Sequence, residues 1–464
     1  MSGVRVACIP LIFGLLLVFH LGGGVPHGLA AESFFRPVFM PWAEARPIVE
    51  AQRESAPAEI RNGDEARWNA WRQKQDKAIR ARLRQGDLDS MVNLLLFGTS
   101  FTRQPRIRVE NLAEASKRGA LRGRVDDLTA GLRDPRGNER LIYVRSLVLG
   151  EGVDPDDPGA AGAFIYKQLL RVMKERTALV EKAESVRVES ALDRASLFRE
   201  RGVSLDTGIL PDFAIDETLR DLKQRGVLRE GSVKRVAVVG PGLDFSDKNE
   251  ESAFDYYPQQ TLQPFALYDS LVRQKLAKGG ALSISVFDIS PRVLDHMRRA
   301  RSAAGKGGGY TIQLPRDVDR AWPPALIAYW NSLGDQVGSP TTPIPPPRFF
   351  HNLQTRAIRI RPEAVLACDP MDLDIVLERI ELPEANRFDL IIGTNIFVYY
   401  DAFELALSLQ NTGAMLKAGG LLLTNDRLPE APGGSMRQAG STDIRYSNQD
   451  ATAHEVVGWY QKRQ

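Results

Sequence analysis

The chain has 464 residues, enough to bury more than one hydrophobic core, so we expect two domains. Apolar residues make up 43% and charged residues 26%, which is ordinary for a globular protein and excludes wholesale disorder. The 61 basic and 58 acidic side chains leave a formal net charge of +3, which gives no reason to expect a nucleic-acid partner. Two cysteines exclude a disulfide scaffold, and the five histidines lack metal-ligand spacing, so we predict no metal site.

The first 31 residues differ in kind from the rest of the chain. Arg5 is the only charged residue before Glu32, Val6–Leu21 is almost wholly apolar, and small residues follow up to Ala31. This order is typical of a secretory signal peptide. The apolar run is short for a membrane span and contains Pro10, which favours cleavage and export to the periplasm or the exterior. If retained, the segment would anchor the protein to a membrane, and the rest of the chain would face either side.

Residues 32–226 have a mainly helical and polar pattern. Apolar residues recur at spacings of three and four in four segments, Glu65–Gln85, Asp89–Phe97, Ile107–Lys117 and Phe164–Arg201. Alternating β patterns are scarce here. We predict an all-α region that serves as a cap or a partner-binding module, and nothing in it indicates a chemistry.

From about residue 227 apolar strands alternate with helices. The predicted buried strands are Arg235–Val239, Leu282–Phe287, Ala364–Cys368, Phe388–Ile392 and Gly420–Thr424. The predicted helices around the first two strands are Ile215–Arg225, Thr261–Lys278 and Pro291–Arg301. This alternation predicts an α/β fold with a mostly parallel sheet covered on both faces.

An insertion of about residues 302–362 separates the second and third of these strands. Its β-like pieces Tyr310–Leu314 and Arg356–Ile360 are expected to pair as a hairpin. The proline tract Pro343–Pro347 indicates a stiff loop. Long insertions in compact domains are often functional lids, which is the alternative interpretation of the segment.

Glycine or aspartate follows each of the first three predicted strands. Gly240 and Gly242 let the backbone approach a ligand closely, because glycine has no Cβ and tolerates positive φ. Asp288 follows the second strand, where a carboxylate can accept both hydroxyls of a ribose, unless it only caps the next helix. Asp369 follows the third strand, where it can accept from an adenine amine, and Asp372 is an alternative to it. Because the carboxyl ends of parallel strands meet at one edge, we expect a shared nucleoside-binding crevice.

With these residues the C-terminal half resembles the class I S-adenosylmethionine (SAM)-dependent methyltransferases. The matching segments are VAVVGPG (Val236–Gly242), SVFDIS (Ser285–Ser290), ACDPMDL (Ala367–Leu373), FDLIIGTNIFVYYD (Phe388–Asp401) and MLKAGGLLLTND (Met415–Asp426). The resemblance covers about residue 227 to the end. It implies a Rossmann-like sheet whose C-terminal strand, Val456–Arg463, is antiparallel.

The resemblance also implies SAM as the cofactor and six positions that contact it. These are Gly240, Gly242, Asp288, Asp369, Met371 and Asn395. The glycines would lie against the methionine part of SAM, Asp288 on the ribose and Asp369 on the adenine. The Met371 N–H would serve the adenine because Pro370 has no N–H, and Asn395 would border the transferable methyl group and the acceptor.

The sequence departs from the family pattern around the glycine turn. Val238 stands where the family has an acidic residue, and Asp244 stands at the third glycine position. An insert, Leu243–Gln260, follows the turn, and its Lys248 is available to the methionine carboxylate of SAM. These departures affect the expected cofactor affinity more than the expected fold.

The stretch Asn395–Asp401 has a local similarity to the chemotaxis-receptor carboxyl methyltransferases. Carboxylate acceptors need no general base, and methyl transfer depends chiefly on orientation, so we assign no catalytic residue. Tyr399 and Tyr400 either line the acceptor site or are one core and one surface aromatic residue.

The leading hypothesis is a SAM-dependent methyltransferase acting on an unknown acceptor, either a small molecule or a protein carboxylate. The alternative is a non-catalytic exported scaffold built on a degraded methyltransferase fold. The leader favours that alternative because SAM is made in the cytosol, and so do Val238 and Asp244. A nicotinamide dehydrogenase is disfavoured by the missing third glycine.

Overall fold

The computed structural model describes residues 36–107, 114, 119–185, 208–245, 254–348, 350, 352–426, 428, 434–450 and 453–463. The predicted leader, residues 108–113 and 115–117 of one predicted helix, residues 186–201 of another and Lys248 lie outside this set. Within it, no helix combines the length and the apolar character that a membrane crossing requires.

The described residues form twelve strands and eleven α-helices. The strands are β1 (Pro37–Phe39), β2 (Arg235–Val239), β3 (Ser283–Asp288), β4 (Tyr310–Asp317), β5 (Gly338–Thr341), β6 (Leu353–Ile360), β7 (Cys368–Asp372), β8 (Glu378–Ile380), β9 (Phe388–Ile392), β10 (Leu416–Thr424), β11 (Met436–Arg445) and β12 (His454–Lys462). The helices are α1 (Trp42–Ala51), α2 (Glu65–Phe97), α3 (Ala120–Arg133), α4 (Glu139–Gly150), α5 (Pro158–Ser185), α6 (Ile209–Gln224), α7 (Gln263–Arg273), α8 (Pro291–Gly305), α9 (Pro324–Ser332), α10 (Pro362–Leu366) and α11 (Ala402–Met415).

The central sheet has seven strands in the order β11-β12-β10-β9-β2-β3-β7. β7, β3, β2, β9 and β10 run parallel, whereas β12 is antiparallel to both of its neighbours, β10 and β11. This confirms the predicted Rossmann-like fold, including its antiparallel C-terminal strand. The order of the strands reverses between β2 and β9, and ligands of open α/β sheets bind at such a switch point.

Several predicted elements match the structure closely. β2 and β9 have the predicted bounds, because each is a continuous apolar run closed by glycine. The predicted antiparallel pairing within the insertion is also confirmed, since Tyr310 pairs with Ile360 and Leu314 pairs with Arg356. The two strands do not form a simple hairpin, because β5 lies between them in sequence and pairs with the other side of β6.

The third core strand was predicted in the wrong place. Residues 364–366 belong to α10, and β7 begins only at Cys368, so the predicted strand Ala364–Cys368 is wrong. A short apolar run does not distinguish helix from strand by its periodicity. Pro362 occupies the first helical position, where proline is favoured, and this favours a helix over a strand for residues 362–366.

Other differences concern the N-terminal region and the sheet edge. Glu65–Gln85 and Asp89–Phe97 form one continuous helix, α2, through the buried Gly86. The region is not wholly α-helical, because β1 pairs with β8. β11 was not predicted, because its largely exposed side chains, typical of an edge strand, carry no strong apolar pattern.

Helices cover both faces of the sheet. Val236 and Val238 point into a core shared with α6, α7 and α9, whereas Ala237 and Val239 point into a core shared with α1, α2 and α11. The predicted helical region therefore supplies one cover of the sheet. The described residues from Arg36 onward pack as one compact unit, and the predicted boundary at residue 226 stays a prediction.

Candidate functional site

The glycine turn lies at the carboxyl end of β2, beside the switch point. Gly240 and Gly242 have φ values of 65° and 68°, in the left-handed region that favours glycine. The Gly240 N–H donates to the carbonyl of Phe287 on the neighbouring β3, at 2.8 Å. A Cβ on Gly240 would overlap the Ile396 Cδ1 atom and lie 2.8 Å from its Cγ1. The turn therefore needs glycine both for its backbone angle and for its contact with Ile396.

Replacing Gly240 by alanine is expected to lower the free energy of unfolding by about 2 kcal/mol, through the positive φ and the collision with Ile396. In an Ile396→Ala background only the backbone penalty remains, so Gly240→Ala should there cost about 1 kcal/mol. Urea unfolding of the four proteins measures this difference. An equal cost in both backgrounds would contradict the assigned contact.

Asp288 is placed as predicted, at the tip of β3. Its side chain is 6% exposed, lies beside the glycine turn, and accepts a hydrogen bond from the Ser290 N–H at 2.8 Å. Burial raises the pKa of this carboxyl to about 7, backbone donors at residues 289 and 290 oppose the rise, and nearby Asp372 adds to it. Asp288 is therefore a poorly solvated acceptor that an additional donor would stabilise in its charged form.

Asp369 does not lie at the tip of its strand. It is the second residue of β7, opposite Ser285, and its carboxylate lies 3.5 Å from Arg301. Asp372 ends β7 and pairs in register with Asp288. The predicted position of Asp369 is thus wrong, because the strand begins at Cys368 and not at Ala364, where the apolar run begins. Asp372, the alternative considered from the sequence, occupies the strand tip.

Met371 lies in register with Phe287 on the edge strand β7. The Leu373 N–H donates to the Asp288 carbonyl, and amides two residues apart point to the same side of a strand. The Met371 N–H is therefore directed toward β3 and into the sheet. The structure does not direct it toward a ligand, contrary to the predicted contact.

Asn395 follows β9 but does not line the cavity at the glycine turn. It is exposed, has a φ of 58°, and exchanges two hydrogen bonds with Asn425 at the end of β10, at 2.7 and 2.8 Å. The side chains of Ile396, Tyr399 and Tyr400 line the cavity instead. Both tyrosines are buried, so the surface position considered for one of them is wrong.

Three of the six predicted positions, Gly240, Gly242 and Asp288, line the cavity at the carboxyl edge of the sheet. Its volume is about 40 Å³, whereas sites for small molecules measure about 300 Å³ or more. Leu83 of α2 forms one wall and Ile396 forms another. The polar groups are thus assembled around a space too small for a nucleoside.

Three residues of this edge, Arg80, Leu83 and Asp426, were not predicted. Arg80 of α2 donates to both carboxylate oxygens of Asp372, at 2.9 and 3.2 Å. Asp426, which follows β10, accepts from the Phe397 N–H at 2.9 Å, and burial raises its pKa to about 7. An aspartate after an apolar strand was the available signal for Asp426. No local signal exists for Arg80 or Leu83, because their contacts join distant parts of the chain.

Residues of the insert after the glycine turn have structural roles. The Asp244 carboxylate accepts from the Tyr257 hydroxyl at 2.6 Å and from the Gln260 amide at 3.2 Å. Asp244 therefore stabilises the insert through these hydrogen bonds and does not line the cavity at the glycine turn. Lys248, predicted to reach the methionine carboxylate, lies outside the described residues.

A second, larger cavity of about 960 Å³ lies between the helical region and the insertion. Thr99, Asn138, Tyr256 and Pro345 line it, and Asp255 at its wall accepts from the amides of Thr99 and Ser100. None of the six predicted positions lines this cavity.

No family profile matches the chain, and no curated protein matches it. Among solved structures it is similar to TrmN from Thermus thermophilus, with 12% identity over 57% of this chain and 53% of that one, at a TM-score of 0.26. It is also similar to the N-methyltransferase NodS from Bradyrhizobium japonicum WM9 in complex with S-adenosyl-L-homocysteine, with 11% identity over 60% of this chain and 100% of that one, at a TM-score of 0.27.

A third similar structure is magnesium protoporphyrin IX methyltransferase (ChlM) from Synechocystis PCC 6803 with bound SAM. The identity is 11% over 62% of this chain and 97% of that chain, at a TM-score of 0.26. The chain spans about half the length of TrmN. The fold assignment stands on the strand order and direction described above.

Proposed function

We propose that the chain is a SAM-dependent methyltransferase whose acceptor is a small molecule or a protein carboxylate. One observation carries the proposal: the Asp288 carboxyl and the Gly240 turn line a single cavity beside the switch point of the sheet. A buried acid next to a close-approach backbone turn suits the ribose and the methionine chain of SAM.

The carboxylates at this edge fit the hydrogen-bond donors of a nucleoside cofactor. Ribose hydroxyls would donate to Asp288, and these hydrogen bonds would favour its charged form over the neutral form that burial favours. Asp372, at the neighbouring strand tip, is the better acceptor for the adenine amine than Asp369. Bound SAM would supply an electrophilic methyl group, and the protein would orient the acceptor and exclude water.

The cavity becomes large enough for a nucleoside only after side chains in its wall have moved. Leu83 and Ile396 must withdraw before a nucleoside can lie between Asp288 and the glycine turn. The closed cavity favours the second candidate function, a non-catalytic scaffold that retains the fold. In that case Leu83 and Arg80 would permanently fill the place of the cofactor.

Calorimetric titration of the purified chain with SAM and with NAD separates these functions. We expect SAM to bind, Asp288→Ala to weaken binding at least about tenfold, and Asp369→Ala to leave it unchanged. Asp369 is the control because it lies on the neighbouring strand, away from the strand tips. Absence of binding by either cofactor would favour the scaffold.

We also infer from the sequence that the leader directs export, with membrane anchoring as the alternative if it is retained. Fractionation of the host cells locates the chain. Recovery in the cytoplasm would contradict export and would place the chain where SAM is made.

A further inference from the structure

Helix α2 crosses the cavity at the carboxyl edge and is bonded to both sides of it. On one side Arg80 forms its paired hydrogen bonds with Asp372 at the tip of β7 and reaches the Ile289 carbonyl at 3.5 Å. On the other side Arg82 donates to the Tyr399 carbonyl at 2.8 Å, in the turn after β9. Leu83, one residue further along, forms part of the cavity wall between these two attachments.

The remainder of α2 is held independently of these contacts. Trp68 and Trp71 stack at 5.1 Å near its N-terminus, and the Trp68 indole N–H donates to the Met40 carbonyl at 2.9 Å. The C-terminal part of the helix packs in a separate core with α3, α4 and α5. Residues 75–84 lie between these two parts and carry Arg80, Arg82 and Leu83.

Arg80 uses the same acceptor that a nucleoside amine would need. The Asp372 side chain is 48% exposed, and Arg80 also holds Asp76 at 2.8 Å, so the guanidinium is fixed between two carboxylates. Arg80 competes with a ligand donor for Asp372, and a ligand between Asp288 and the glycine turn must displace Leu83.

We propose that residues 75–84 of α2 are an autoinhibitory strap, in which Arg80 and Leu83 occupy the places of the adenine amine and the nucleoside. The proposal rests on the proposed function for the identity of the ligand. Closure of the strap and binding of the nucleoside exclude each other. The apparent affinity for the cofactor is therefore its intrinsic affinity reduced by the fraction of open molecules.

The test compares the full-length chain with Arg80→Gln and Leu83→Ala, using S-adenosyl-L-homocysteine as the calorimetric probe and amide hydrogen exchange over residues 75–84. We expect faster exchange in both variants and tighter probe binding, by about fivefold for Arg80→Gln, the most that a partly exposed ion pair provides. Lys74→Gln is the matched control, because Lys74 lies on α2 just before the strap, is 75% exposed and pairs with Glu59 away from the cavity. It should change neither quantity.

The outcomes separate the strap from the proposed function. Probe affinity that is the same in the wild type and in both variants overturns the strap and leaves the methyltransferase proposal standing. If none of the proteins binds the probe, the methyltransferase proposal fails, and hydrogen exchange alone decides on closure. Exchange in Arg80→Gln no faster than in the wild type then overturns the strap as well.

Discussion

Replacing Arg140 by methionine is expected to lower the free energy of unfolding by about 4 kcal/mol. Arg140 of α4 is 2% exposed, and its guanidinium donates to the carbonyls of Phe245 and Tyr257 and, at 3.1 Å, to that of Asp244. Methionine fills much of the space but leaves three carbonyls without this donor. It also removes the positive charge that helps to hold the pKa of Asp255 low.

Urea unfolding followed by circular dichroism measures the effect. Arg122→Met is the matched control, because Arg122 is 89% exposed and lies 4.0 Å from its acidic neighbour, so its loss should cost little. Similar midpoints for the two variants would contradict the role given to Arg140. Because Asp244 and Phe245 follow the glycine turn closely, Arg140 connects the helical region to the candidate site.

Replacing Asp374 by asparagine is expected to stabilise the protein at pH 8 by about 3 kcal/mol and to have little effect near pH 4. Asp374 is fully buried, and its Oδ2 atom has no hydrogen-bond partner among the described residues. Burial raises its pKa from 3.8 to about 7, opposed by the Val376 N–H, which donates to Oδ1 at 3.0 Å. Asparagine keeps that acceptor and carries no charge.

The pH dependence of this stabilisation follows from how the folded and unfolded states bind the Asp374 proton. Between about pH 4 and pH 7 the folded state holds the Asp374 proton that the unfolded state has released, so this group makes the native chain less stable as the pH rises. The gain from asparagine should therefore grow across this window and level off above pH 7. Asp295→Asn, which removes a carboxylate that is 58% exposed, serves as the control for net charge. A gain independent of pH would refute the assignment.

The parts of the fold that were predicted are those in which local pattern and burial agree. β2 and β9 are apolar runs closed by glycine, so their bounds follow from the sequence. β7 contains Asp369, Pro370 and Asp372 and is paired only along one side, so it lacks the apolar signal. The apolar run before it forms the short helix α10, and the predicted strand was therefore shifted.

The shift of the third strand explains two of the three predicted site positions that do not line the cavity. Gly240, Gly242 and Asp288 follow correctly predicted strands and line one cavity. Asp369 and Met371 were assigned from the shifted strand, and the structure directs neither toward the cavity. Arg80 lies 292 residues from Asp372 in sequence, and no local pattern reports a contact that depends on how α2 packs.

Helices α1 and α2 cover one face of the central sheet, and this determines which fragments of the chain can be studied alone. Ala237, Val239 and Ile391 lie in the same buried cluster as Trp68 and Trp71, and all five side chains are nearly inaccessible to solvent. A fragment starting at residue 227 would expose this apolar face to water and would tend to self-associate. We therefore expect residues 227–464 to fold only with the N-terminal helices in the same polypeptide.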